Sequence, residues 1–131
     1  MAKLIQAIGA YSPRVEVGRT TQTRQLAEFI SSRTSLNRSE IEAVLSELNE
    51  TIIFFAKQGI AVKLAGVGTF TPTVNLAGVF DVGFRLDSSI DGALNVHGAF
   101  VGKISNRENI GKSSDALKAL WNAEHPNDPI A

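Results

Sequence analysis

The sequence contains no cysteine. That excludes a disulfide framework and a thiolate metal site, and it leaves the compartment open. It also lacks an excess of either charge: 13 Lys and Arg stand against 13 Asp and Glu, for a formal net charge of zero. A protein that grips duplex DNA through its phosphates ordinarily shows a basic surplus, because the affinity comes from counterions released by Lys and Arg. The balance removes that global signal and leaves room only for a local patch. Long hydrophobic runs are missing too. Nothing approaches the roughly 20 apolar residues that span a bilayer, and Met1-Ala2-Lys3-Leu4-Ile5 is too short for a secretory signal before Gly9 and Pro13 intervene. A soluble cytoplasmic protein without a membrane partner is expected.

Catalytic groupings are equally sparse. The two histidines, His97 and His125, are far apart, and Glu124 is adjacent to His125 rather than spaced from it as a helical metal pair would be. No metal site and no cofactor are expected. Gly66-Val67-Gly68 lacks the G-K-[ST] ending of a phosphate loop. Gly111-Lys112-Ser113 has that ending, but Asn106 occupies the place of the required first glycine. No catalytic residue or small-molecule substrate is assigned, and the chain reads as non-enzymatic.

What is present is a globular composition. Hydrophobic residues make up 44% of the 131, enough for one modest core at a size where a partner chain helps. The organising stretch is Asn37 to Phe70. Ile41, Val44, Leu45, Leu48, Ile52 and Phe55 recur at the spacing of one helical face. Asn37 suits the N-cap with Glu40 three residues on, and Gly59 suits the position after the last turn. Near the end Ile53, Phe54 and Ala56 widen the apolar face, so this helix needs cover on more than one side. The period then changes to alternation. Val62 and Leu64 face one way and Lys63 the other, Gly66-Val67-Gly68 turns the chain, and Thr69-Phe70 opens a second strand.

A long helix ending at Gly59, then Val62, Leu64, Gly66, Gly68, Thr69 and Phe70 as V-x-L followed by G-x-G-T-F, resembles the HU/IHF family of histone-like bacterial DNA-binding proteins. The resemblance covers roughly residues 21 to 75. It implies an α+β fold, a helical hairpin on an antiparallel sheet with a C-terminal helix, assembled as an intertwined homodimer. It also implies sequence-independent architectural binding of double-stranded DNA in the nucleoid. The alternative is an HU-like dimerisation or scaffold module that has lost DNA binding.

The flanks complete the reading. Residues 1–20 are expected to form an N-terminal extension with short strands, residues 21–123 the HU/IHF-like domain and residues 124–131 a tail. A first helix begins at Thr21 or Thr23, with Leu26, Phe29 and Ile30 as its stripe. Its hairpin with the long helix is not a DNA-reading helix-turn-helix, because Glu40, Glu42, Glu47 and Glu50 line the polar side. Phe80, Val82, Phe84 and Leu86 alternate as a strand, and Ala99–Ser105 reads as its returning neighbour. The family's basic arm, with its wedging proline, is expected to correspond to residues 87–95, where two acidic residues, Asp87 and Asp91, stand and no basic residue or proline does. A short helix capped by Asp87 or Ser88 is expected there instead. The last helix carries Leu117, Leu120 and Trp121, and Gly111-Lys112 before it resembles a family Gly-Lys pair. The candidate DNA-contacting residues are Arg85, Lys103, Arg107, Lys112 and Lys118, with Arg85 and Lys103 sharing a sheet face.

Overall fold

A computed structural model describes residues 1–131. It is α+β, with helices α1 (Leu4–Tyr11), α2 (Thr23–Arg33), α3 (Arg38–Ala56), α4 (Ser88–Leu94) and α5 (Ser114–Glu124). The strands are β1 (Arg14–Val15), β2 (Val62–Leu64), β3 (Gly68–Val74), β4 (Phe80–Leu86) and β5 (Ile104–Ser105). They form two antiparallel sheets, β2-β3-β4 and β1-β5. The chain divides into two compact units, Thr20–Phe100 and Met1–Arg19 with Val101–Ala131.

In the Thr20–Phe100 unit, α3 begins as its sequence dictates. Asn37 Oδ1 accepts from Glu40 N at 2.9 Å, and Glu40 Oε1 accepts from Asn37 N at 3.4 Å, the reciprocal capping box. The helix stops before Gly59, whose φ of +75° is the left-handed conformation that glycine tolerates. The N-cap of α2 is Gln22 rather than a threonine, and Gln25 Oε1 accepts from its N–H at 3.0 Å. The two helices meet where Ala27 and Ile41 are buried.

The two glycines of the G-V-G turn serve different ends. Gly66 has φ +80°, which the turn requires. Gly68 has an ordinary φ, but a Cβ there would lie 2.5 Å from both the Arg85 carbonyl oxygen and the Phe84 ring. Strand β4 can pair with β3 at Gly68↔Leu86 only because nothing projects from Gly68. The hairpin closes at Asn75–Val79. Asn75 Oδ1 accepts from Ala77 N at 2.9 Å and Val79 N at 3.0 Å, and Gly78 takes φ +80°.

Here the structure corrects the position of the arm. The long strand pair after G-x-G-T-F is β3 and β4, so an arm would grow from their joint at Asn75–Val79. Residues 87–95 lie beyond that pair and contain α4, the short helix expected there, capped by Asp87. The tip is closed, uncharged and apolar, with Leu76 fully exposed.

A second correction concerns the flanks. Residues 1–20 were expected to hold short strands, yet Leu4–Tyr11 is a helix and only Arg14–Val15 is extended. Ala99–Ser105 is not a returning strand of the main sheet. Only Ile104–Ser105 is extended, and its partner is β1, through Val15↔Ile104. In this second unit α1 packs on α5 around Ala2, Ala7, Leu117 and Ile130, with Tyr11, Leu120 and Trp121 against them.

The last turn of α1 explains why the unit holds. A helix leaves its final carbonyls without intrahelical donors. The Arg14 guanidinium donates to Gly9 O, Asn106 Nδ2 to Ala10 O at 3.0 Å and Ser12 O at 3.2 Å, and Asn109 Nδ2 to Tyr11 O at 2.7 Å. The two asparagines sit about 95 residues further along and bracket one 3₁₀ turn, Arg107–Asn109. At the other end of α5, Asn122 exchanges two hydrogen bonds with the Ile130 backbone, and Trp121 Nε1 donates to Asp128 O at 2.8 Å.

Substitution Gly68→Ala is expected to destabilise the fold by about 1–3 kcal/mol or more, since backbone as well as a ring must move. Gly83→Ala, whose Cβ meets its nearest neighbour at 3.8 Å, is expected to be neutral or mildly stabilising. Urea midpoints of the two variants check the contrast.

Candidate nucleic-acid interface

Strand alternation gives the main sheet two unlike faces. Val62 and Leu64 on β2, Phe70, Pro72 and Val74 on β3, and Phe80, Val82, Phe84 and Leu86 on β4 share the apolar face. Phe70 and Phe84 pair across it with centroids 4.8 Å apart. The opposite face carries Lys63, Thr69 and Arg85 in one register row, with Thr71 opposite Gly83 beside it. Two cations flanking a threonine, next to a glycine, make a low polar surface able to approach a phosphate backbone. Lys63 escaped selection from the sequence. The V-K-L alternation placed it opposite Val62 and Leu64, and the β2–β3–β4 register was the missing fact that puts it in a row with Arg85.

Acidic groups limit this face. Asp81 lies opposite Thr73. The Asp87 carboxylate accepts hydrogen bonds from the Ser89 hydroxyl and from Ser89 N at 3.0 Å. These bonds, aided by the nearby Lys63 charge, hold it below the usual carboxylate range.

The candidate residues do not converge on one sheet. Arg85 is exposed on β4, in the Thr20–Phe100 unit. Lys103, Arg107, Lys112 and Lys118 all belong to the other unit. Lys103 immediately precedes β5, Arg107 opens the 3₁₀ turn, Lys112 precedes the Ser113 cap of α5, and Lys118 lies half-buried on α5. The expectation that Arg85 and Lys103 share a sheet face is therefore wrong: β5 pairs with β1, and β4 pairs only with β3. No group of three or more His, Asp or Glu side chains converges as a metal cage would require, and no helix is long and apolar enough to cross a membrane.

A helical hairpin, a glycine-stopped long helix and a three-stranded meander opened by G-V-G-T-F define an HU-type body. A family model described as HU-HIG, an HU domain fused to a wHTH, Ig or glycine-rich motif, matches residues 7–88. That is more than half of the chain, and the chain belongs to this family. The match ends before Gly111-Lys112, so it lends no support to the likeness between that pair and the family's. No curated protein matches the sequence.

The depressed Asp87 pKa has a pH consequence. Its ionised form is favoured by folding, so the stability it contributes is present above the ordinary carboxylate range. That stability is lost as the pH falls through the lowered native value. An NMR titration of the Asp87 side-chain carboxyl is expected to give a midpoint below that of an unperturbed aspartate, and Ser89→Ala is expected to move it back up.

Proposed function

We propose that the protein is a non-enzymatic, sequence-independent, architectural DNA-binding protein of the histone-like type, acting as a homodimer in the cytoplasm at the nucleoid. Membership of an HU family supports the DNA-binding role. The observation that carries the dimer is the uncovered apolar body. Phe54 is 61% exposed and Phe80 79%, Ile53 and Val82 are also open, and no large side chain anywhere in the chain is fully buried. Between the end of α3 and the distal half of the β3–β4 hairpin lies a groove of 770 Å³ lined by Ile52, Ile53, Ala56, Val74, Phe80 and Val82. A second copy supplying apolar side chains there completes a core that one chain leaves half built. The phosphate contacts fall to Arg85, Lys103, Arg107, Lys112 and Lys118, doubled by the twofold axis.

The second reading is a dimerisation or scaffold module without DNA binding. The uncharged tip at Asn75–Val79 favours it, as does the charge of the HU-like unit, six Lys and Arg against eight Asp and Glu.

Sedimentation equilibrium is expected to give twice the chain mass, with a melting midpoint that rises with protein concentration. Phe54→Asp is expected to shift the population toward monomer, and a monomeric wild type at micromolar concentration would remove the dimer. A mobility-shift titration on duplex DNA at low salt is expected to show binding that weakens steeply as salt is raised. Absence of binding even at low salt leaves the scaffold reading in its place.

A further inference from the structure

Charge is divided unequally between the two units. The Thr20–Phe100 unit carries six Lys and Arg against eight Asp and Glu, and the unit formed by Met1–Arg19 with Val101–Ala131 carries seven against five. The division also differs in kind. In the first unit Arg38 lies 3.6 Å from Glu28 and 3.9 Å from Glu42, and Arg24 lies 3.4 Å from Glu28. In the second unit no Lys or Arg makes an ion pair. Three of its five carboxylates are occupied: Glu16 accepts from Ser105 Oγ at 2.9 Å, Glu124 from the Tyr11 hydroxyl, and Asp128 lies 3.6 Å from the Met1 amine.

The free cations are also held in place at the backbone. Lys103 O accepts from Glu16 N at 2.9 Å. Arg107 lies between Asn106 and Asn109, both of which bond the end of α1. Lys112 N donates to Asn109 O at 3.1 Å. All three side chains are exposed, and the one carboxylate between Lys103 and Lys112 is Glu108. Cations on a pinned backbone lose less conformational freedom on meeting a phosphate than cations on a loose loop.

We propose that this second unit, through Lys103, Arg107 and Lys112, makes the main contact with the backbone of duplex DNA, in place of the sheet of the HU-like unit. The inference rests on the DNA-binding reading above and moves the contact to residues beyond the 7–88 family match. Three phosphate contacts per copy give a slope of log K against log salt of about −2.7 from each protomer.

The test compares two variants of the full chain on a duplex of arbitrary sequence, by fluorescence anisotropy across a salt series. Lys103→Gln/Arg107→Gln/Lys112→Gln is expected to lose at least tenfold in affinity at low salt, with a slope shallower by about 2.7 per protomer. Lys63→Gln/Arg85→Gln, which removes the Arg85 contact and its neighbour, is expected to lose distinctly less affinity than the triple variant, with a slope shallower by about 0.9 per protomer. Should the triple variant melt early, the single variants Arg107→Gln and Lys112→Gln, each expected to flatten the slope by about 0.9 per protomer, carry the same comparison. Equal losses in both variants, or a loss confined to Lys63→Gln/Arg85→Gln, overturn the proposal and leave DNA binding standing. A wild type that binds no duplex at the lowest salt overturns the DNA-binding reading, and this proposal with it.

Discussion

One face of the main sheet carries nine apolar side chains, from Val62 on β2 to Leu86 on β4, and one helix flank to cover them. Helix α3 packs chiefly on the β2 and β3 strands, and its own Ile53, Phe54 and Phe55 remain open to solvent. Covering a large aliphatic or aromatic side chain stabilises by about 1.5–3 kcal/mol, so a few uncovered phenylalanines amount to the whole stability of a small domain. The register permits no escape. Side chains alternate strictly along β3 and β4, and Gly68 locks the two strands together at one end. Sliding by one residue would place the apolar set on the threonine face. An uncovered sheet with a fixed register calls for a second body, the role proposed above for another copy.

The same alternation divides chemistry between the two sides. Every residue that makes one face apolar leaves the next for the other face, so Lys63, Thr69 and Arg85 form a polar row because Val62, Phe70 and Phe84 do not. The row is narrow, and further along the same face Asp81 stands opposite Thr73. The other unit solves a different problem. Its core is small, and it is held by asparagine amides satisfying the carbonyls at the end of α1 and the backbone of Ile130. Those amides need no formal charge. Lys103, Arg107 and Lys112 are thereby left out of structural work, whereas in the helical hairpin Arg38 is committed to Glu28 and Glu42.

Much of the HU-like body could be read from the residues alone. The capping box at Asn37, the glycine stop, the V-x-L alternation and the cap at Asp87 are local signals, and local hydrogen bonds made them real. What escaped was set by distant partners. Leu4–Tyr11 is a helix because α5, residues at 106 and 109, and Ile130 surround it, and none of these is visible from Leu4. The short run Ile104–Ser105 has the composition of any strand, and nothing local says that its partner is Arg14–Val15. Misplacing the arm had the same origin. With Ala99–Ser105 assigned to β4, residues 87–95 became the connection that an arm would replace. Once β5 pairs elsewhere, the joint between β3 and β4 takes that role. The site residues divided for this reason too: Arg85 followed its sheet, and the other four followed the chain into the second unit.

The closed hairpin tip bears on how DNA would be held. Bending a 20–30 bp site by 40–90° costs roughly 1–6 kcal/mol, repaid only by contacts that wrap the flanks. A tip that ends at Asn75–Val79, pinned by its own asparagine and bare of charge, has no reach around a duplex and no cation to place there. The contact proposed through Lys103, Arg107 and Lys112 is with phosphates. Such contact releases counterions whether the axis is straight or curved, so it supplies affinity without rewarding a bend. A DNA-bound form that relies on this proposed contact would leave the duplex nearly straight. Leu76 and Val79, exposed at the tip, are apolar, but without flanking cations an apolar side chain there has nothing to hold a bent state once a base step opens.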